Sequence, residues 1–535
     1  MKLLRNRRLI LSAILLIAAI LRLYRLGENP AGFHRDEAFL GYNAYSILKT
    51  SSDMNGDFLP LHLRSFIYSP AGYSYIAIAP IAIFGLNEFS VRLPSALFGI
   101  ATVLAAYFLV YELFKSYHVS LLTSLLLAIS PWHINLSRTA TENVLVVFFV
   151  TLGIYLYIRS QFLYAFLSFS LSMLLYQASR AFLPFFVPLL IFSKLSKKIR
   201  YIVLLSVLFI FIPILLILTS PTLSLRLRTV GIPASPTARL IAEEAIREDG
   251  VGNIPVLLSR VLHNKALGFT GQFLENYFSH FSYAFLFTDK GLPDRYRVPG
   301  APLVYLIELP LIILGLIALV HSKTWQSRLL LGWIIIAPIG SGLAFDDVPN
   351  LQRTLLFFPA FSIIAAAGFS TLIKPVRLFV VVAYALSVFT YLHAYYIHEP
   401  LHRPWFRQEG YRQLVAEVQK RTDTYPSVVI TNRETAPTIF FLFYTNYDPV
   451  LFLSQTKDLS GDDRDRTSFD KYIFTTEECP LRELSQESGI KTLTGNKNTL
   501  YVNFGTCDDA QGTKKLATIA RGDGSTVFKL VAIAE

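Results

Sequence analysis

Cysteine is nearly missing from this chain. It has two, Cys479 and Cys507, both in the polar C-terminal part. With no third cysteine a Cys-rich metal site is excluded, and spacing alone leaves open whether the two pair. Charge is also scarce: 16% of the 535 residues are Asp, Glu, Lys or Arg, where a soluble protein carries about a quarter. Several motifs are missing too. The sequence has no Gly-rich phosphate loop ending in Lys-Ser/Thr, no GxGxxG after a strand, no HExxH and no Gly-x-Ser-x-Gly elbow. These absences argue against a nucleotide-driven, zinc-protease or serine-hydrolase chemistry.

What is abundant is apolar. Hydrophobic residues make up 53% of the chain, and Phe (42) and Tyr (28) are frequent. Apolar runs near ~18 residues, each long enough to cross a bilayer, recur through the first three quarters. The formal charge of +12 comes from Lys and Arg gathered in short gaps between those runs. That is a topology signal rather than a sign of nucleic-acid binding, which is not expected. Lys2, Arg5, Arg7 and Arg8 precede an apolar run that Arg22 and Arg25 close, with no small-residue cleavage motif. This reads as a retained first span whose arginines reach the headgroups.

The positive-inside rule puts the N-terminus, Lys115, the Lys194–Arg200 cluster, Lys323 with Arg328, and Lys374 with Arg377 on the cytoplasmic side. Spans that satisfy all of these run roughly 9–26, 94–114, 119–134, 143–158, 161–177, 182–193, 201–219, 301–320, 329–345, 355–373 and 378–397. The expected fold class is an α-helical polytopic membrane protein of about eleven helices, N-terminus cytoplasmic, with a C-terminal extracytoplasmic α/β domain. The membrane domain is 1–397, with outer loops 27–92 and 220–300, and the soluble domain is 398–535. Residues 71–87 are apolar, but counting them as a span inverts every later loop. They read as a helix lying on the outer surface. In 398–535, a helix near 408–421 precedes strand-like runs at 428–430, 472–474, 499–504 and 527–532.

The first outer loop carries Asp36-Glu37. In the plain reading Asp36 caps a helix that runs to about Leu48. In the functional reading the pair supplies a general base, its pKa tuned by burial and by His34 and Arg35. Adjacent helical residues point about 100° apart, so one carboxylate can face the reaction while the other holds the loop. Asp36 and Glu37 are therefore the catalytic candidates. Arg138 and Glu142, four apart on the outer side, form either an intrahelical ion pair or a phosphate ligand with its orienting carboxylate. Arg353 either neutralises Asp346-Asp347 or holds a lipid phosphate. With His34, these three are the substrate-binding candidates. Arg92, Arg180 and His263 read as interfacial structure, and no metal-ligand cluster is visible.

The order of these features resembles the polytopic GT-C glycosyltransferases of the protein O-mannosyltransferase type (glycosyltransferase family 39-like), whose bacterial relatives include the aminoarabinose transferase that modifies lipid A. The motifs are Asp36-Glu37, Ser69-Pro-Ala-Gly-Tyr, Val91-Arg-Leu-Pro-Ser, Leu136-Ser-Arg-Thr-Ala-Thr-Glu, Tyr176-Gln-Ala-Ser-Arg, His280-Phe-Ser-Tyr-Ala-Phe-Leu-Phe, Gly300-Ala-Pro-Leu and Gln352-Arg-Thr-Leu-Leu-Phe-Phe-Pro. The resemblance implies inverting transfer of a monosaccharide from a polyprenyl-phosphate donor to a hydroxyl of a glycan, lipid or protein at the outer face of the cytoplasmic membrane. It implies no cofactor or shared metal. Asp36 falls on the family's catalytic aspartate and Arg138 on its phosphate-side arginine. Glu142 stands where many members have aspartate, and Ser69-Pro70 replaces a usual double proline. The β-trefoil signature of the eukaryotic members is missing, which disfavours protein O-mannosylation. The alternatives are a transporter or flippase for a lipid-linked saccharide and a non-catalytic scaffold. Rim charges and non-repeating halves disfavour the transporter.

Overall fold

A computed structural model describes residues 2–64, 69–193, 229–459, 464–485 and 491–534. The predicted span at 201–219, the Lys194–Arg200 cluster and the start of the long outer loop lie outside the described residues. The chain forms two compact units. One comprises Met1–Tyr24, Ser95–Ser137 and Thr141–Leu392, and the other Arg25–Pro94, Arg138–Ala140 and His393–Glu535.

The N-terminal part contributes helices α1 (Lys2–Leu23), α2 (Arg35–Thr50), α3 (Gly72–Phe84), α4 (Glu88–Phe114), α5 (Tyr117–Ile129), α6 (Pro131–Ser137), α7 (Glu142–Ile158), α8 (Phe162–Leu175) and α9 (Gln177–Ser193). Among the described residues, Glu88–Phe114 and Lys374–His398 are long and apolar enough to cross a membrane, and α5 with α6, bent by 58°, makes a third. Shorter apolar helices follow the other predicted spans, including Glu142–Ile158, Phe162–Leu175, Gln177–Ser193 and Glu308–Ser322. Helix α3 has 13 residues, about 20 Å at ~1.5 Å per residue, against ~30 Å of hydrocarbon. Helices at predicted spans are as short, Ala360–Thr371 having 12 residues, so length alone does not separate α3 from them.

The first unit packs helix on helix. Helices Glu308–Ser322 and Ala360–Thr371 meet backbone to backbone at two glycines. A Cβ on Gly315 would lie 2.0 Å from the Ile364 carbonyl oxygen, and one on Gly368 would lie 1.9 Å from that of Leu311. Any larger residue would separate the helices and forfeit dispersion contacts that bundles in lipid depend on. Arg22 behaves differently from the sequence expectation. It is fully buried and donates to the carbonyls of Leu127 (3.2 Å) and Ala128 (3.0 Å) and to His133 Nδ1 (2.9 Å). The reason is local. Pro131 has no N–H for the Leu127 carbonyl, so the break between α5 and α6 strands acceptors that need a donor.

The second unit holds the first outer loop and the C-terminal part. Here β1 (His62–Leu63) pairs with β2 (Ser69–Pro70). A five-stranded mixed sheet has the order β4-β3-β7-β9-β8, built from β3 (Ser427–Thr431), β4 (Tyr472–Thr475), β7 (Thr499–Phe504), β8 (Thr513–Ala520) and β9 (Thr526–Ile533). A separate hairpin joins β5 (Glu483–Ser485) to β6 (Lys491–Leu493). β3 runs parallel to β4 and β7, and β9 antiparallel to β7 and β8. Val428, Ile430, Leu500, Val502, Val527, Phe528 and Leu530 are buried in it. Helix Thr438–Tyr444, almost entirely Ile, Phe and Leu, is buried from Thr438 to Phe443. Cys479 and Cys507 form a disulfide, closing a loop of 28 residues at the end of β7 and resolving the pairing the spacing left open.

Candidate active site

The chain enters α2 through a loop that a single arginine organises. Arg92 is 1% exposed. It donates to the carbonyls of Leu26 (3.3 Å), Pro30 (3.1 Å) and Gly32 (2.7 Å). It also holds both oxygens of Glu37, at 3.0 and 3.1 Å. Glu37 Oε1 accepts in addition from the Ala140 backbone N–H at 2.8 Å. Burial pushes the Glu37 carboxyl up, but the charge and hydrogen bonds of Arg92, the Ala140 N–H and the charge of Arg407 outweigh it and hold it below the usual carboxylate range.

Asp36, the next residue back, has a different environment. Its side chain is 37% exposed, against 6% for Glu37. Asp36 is not the helix cap. That role falls to His34, whose Nδ1 accepts from the Asp36 backbone N–H at 3.2 Å, while Glu37 Oε2 accepts from the His34 N–H at 3.4 Å in a reciprocal capping box. Asp36 sits in the first turn, where the amide dipoles favour negative charge. His34 Nδ1 is 3.4 Å and Arg35 Nε 3.9 Å from its carboxylate.

Arg138 follows the end of α6 and Glu142 opens α7, so their spacing does not put them on one helical face. Arg138 is fully buried. Its Nε donates to the Tyr395 hydroxyl at 3.0 Å and its Nη2 to the Asn29 carbonyl at 3.1 Å. The guanidinium lies 5.3 and 5.5 Å from the ring centres of Tyr395 and Tyr396. Arg138 and Ala140 share one short segment, and Glu37 straps that segment to the start of α2. The structure thereby brings Asp36, Glu37, His34 and Arg138 into one assembly.

Glu142 and Arg353 belong to the other compact unit. Glu142 is buried at the start of α7. Arg353 donates to the Asp346 carbonyl (2.9 Å) and carboxylate (3.0 Å). Its own N–H bonds Asn350 Oδ1 at 2.7 Å, and the Asn350 N–H in turn donates to His280 Nε2 at 3.1 Å. Burial, with the Arg353 charge nearby, pushes His280 down to about 4.

Of the residues read as interfacial, Arg180 donates to the Met173 carbonyl and His263 lies 3.2 Å from Asp249. Arg92 is more than that, because it anchors the loop and the Glu37 carboxylate. A basic residue two before Pro94, in a loop already holding two adjacent carboxylates, was the available signal. Tyr395 and Tyr396, and the buried Arg407–Glu399 pair at 2.5 Å, gave no sequence signal. Among the described residues, no group of three or more His, Cys, Asp or Glu is placed to hold a metal ion.

Residues 12–179 match the family described as dolichyl-phosphate-mannose-protein mannosyltransferase. An uncharacterized protein of Aquifex aeolicus is 31% identical over 201 residues, a match covering 35% of this chain and 39% of that relative. ArnT of Cupriavidus metallidurans superimposes with a TM-score of 0.54 at 11% identity over 98% of both chains. The same protein bound to undecaprenyl phosphate gives 0.51 at 12% identity, over 98% of this chain and 97% of that one. The chain thus shares the fold of these ArnT structures. Its N-terminal third carries the pattern of the mannosyltransferase family.

Proposed function

We propose that this chain is a cytoplasmic-membrane glycosyltransferase of about eleven spans, N-terminus cytoplasmic and C-terminal domain extracytoplasmic. It moves a monosaccharide from a polyprenyl-phosphate donor to an acceptor hydroxyl on a glycan, lipid or protein, with inversion. In this reading residues 1–397 carry the transferase and residues 398–535 serve the acceptor side.

The observation that carries the reading is the division of labour within Asp36-Glu37. Glu37 is committed to Arg92 and Ala140, so it positions. Asp36, more exposed and in a helix's first turn, takes the proton in this reading. The Asp36 carboxylate accepts the proton of the acceptor hydroxyl as its oxygen attacks the anomeric carbon. The bond to the phosphate oxygen breaks on the opposite face, and its electron pair leaves with the polyprenyl phosphate. Arg138 faces the phosphate charge with a forked donor set, and the pair of tyrosines keeps its guanidinium oriented. Glu142 serves an orienting role at the start of α7. Arg353 reaches a lipid phosphate by exchanging its bond to Asp346, and His34 holds the start of α2.

The test reconstitutes the protein in nanodiscs with a panel of polyprenyl-phosphate sugars and a membrane-lipid extract. The reading expects consumption of one donor with appearance of a glycosylated product. Passage of a donor across proteoliposomes without turnover would instead support a carrier.

A further inference from the structure

The second unit contains a cleft of about 190 Å³, walled by the loop leading into α2 and by residues 408–413. Its volume is about that of six waters at ~30 Å³ each. That is below the ~300 Å³ at which drug-sized pockets begin and matches a single saccharide ring. The wall mixes two kinds of surface. Phe33, Tyr411 and Tyr444 bring aromatic carbon, while Gln408, Gln413 and Glu409 bring planar polar groups.

The charges decide what the cleft can take. Glu28 and Glu88 also line it. Arg25 pairs with Glu28 at 2.5 Å and Arg412 with Glu88 at 3.6 Å. Glu409 Oε2 accepts from the Gly522 N–H at 3.0 Å, and its neighbouring charges are Asp523 and Arg521, the latter paired with Glu434 at 2.7 Å. The remaining field is negative, which repels a phosphate. Carboxylates accept hydrogen bonds and carboxamides both donate and accept, the set that pairs with vicinal hydroxyls.

The backbone is also unusual at this place. Gln408 is held at φ 56° and Gly32 at φ +75°, and a Cβ on Gly32 would lie 2.8 Å from the Arg407 carbonyl oxygen. A non-glycine residue in the left-handed region costs about 1–3 kcal/mol and persists where surroundings impose it, often at ligand sites. Gln408 Oε1 accepts from the Arg35 backbone N–H at 2.7 Å, so a wall of the cleft is bonded to the residue before Asp36.

We propose that this cleft is a saccharide subsite, taking one uncharged sugar ring of the acceptor and seating it beside the loop that leads into α2. This rests on the transferase reading, since the ring is the acceptor's. The test is saturation-transfer NMR on the full chain in nanodiscs. The probes are methyl α-mannopyranoside, methyl β-glucopyranoside and methyl β-galactopyranoside, with inorganic phosphate as a competitor.

At least one glycoside should receive saturation. The signal should persist in Asp36→Asn and under excess phosphate, fall at least fivefold in Gln413→Trp, which fills the cleft from an exposed helical position, and fall more modestly in Gln413→Ala. No saturation of any glycoside, a signal unchanged in both Gln413 variants, or displacement by phosphate would overturn the subsite. Donor turnover distinguishes the two claims. Wild-type turnover without glycoside binding removes the subsite alone, whereas turnover that survives Asp36→Asn removes the transferase mechanism.

Discussion

Arg22 and Arg92 are both fully buried arginines, one in each compact unit, and they meet opposite partners. Arg22 faces carbonyl oxygens and a neutral imidazole where a helix breaks. Arg92 faces a carboxylate as well as carbonyls. In the helical unit, then, a buried charge closes a gap that proline leaves in the backbone. In the second unit it fixes one carboxylate and thereby a loop, while the neighbouring Asp36 side chain is 37% exposed. A buried arginine is not itself a sign of function; its partners decide.

The comparison can be broken most sharply at Asp36. Asp36→Asn should lower transfer by ~10²–10⁴-fold, the usual contribution of a positioned base, with little change in melting temperature because the side chain is partly exposed. Glu37→Gln strands a buried guanidinium. It should cost roughly 3–5 kcal/mol of stability in the second unit, measured by denaturant unfolding, with activity falling alongside. Removing the disulfide by Cys479→Ala with Cys507→Ala should cost about 3–4 kcal/mol for a loop of this length, read as a lower melting temperature. Arg22→Met should cost roughly 1–3 kcal/mol for the carbonyls left without a donor, seen as faster hydrogen exchange at the end of α5.

Acidification sharpens the contrast between units. His280 is held at about 4, below its ordinary 6.5. The fold keeps it neutral, so its stabilisation is complete above pH 6.5 and is lost as pH falls from there toward 4. Asp53, buried in the second unit with no hydrogen-bond partner for Oδ2 among the described residues, is pushed up by burial to about 6 from 3.8. Its effect has the opposite sign: stability rises as pH falls through 6 toward 3.8. Glu37 is depressed, so its contribution is present above about 4.5 and is lost as pH falls through its lower folded value. Hydrogen-exchange protection, corrected for the intrinsic rate at each pH, should therefore fall around His280 and rise around Asp53 between pH 7 and 5.

Much of this was legible in sequence. Apolar runs located the helices, because a bilayer imposes length and composition. Alternating β-branched and aromatic runs located β3, β4, β7 and β9. The Asp36-Glu37 pair stood out by its setting in a polar loop beside apolar runs. What was not legible depends on long-range partners. Arg22 looked like a headgroup arginine because its acceptors lie more than 100 residues away. The capping role went to His34 rather than Asp36 because the helix begins at Arg35. β8, rich in Lys and Thr, has one exposed face and gave no apolar run. Arg92 looked ordinary until Glu37 and three loop carbonyls converged on it.

The most direct measurement is donor turnover and melting temperature on the same preparations of wild type, Asp36→Asn and Glu37→Gln. The account predicts that Asp36→Asn melts like wild type yet turns over at least a hundredfold more slowly, while Glu37→Gln melts earlier. An Asp36→Asn protein that keeps turnover within a few fold of wild type would contradict it.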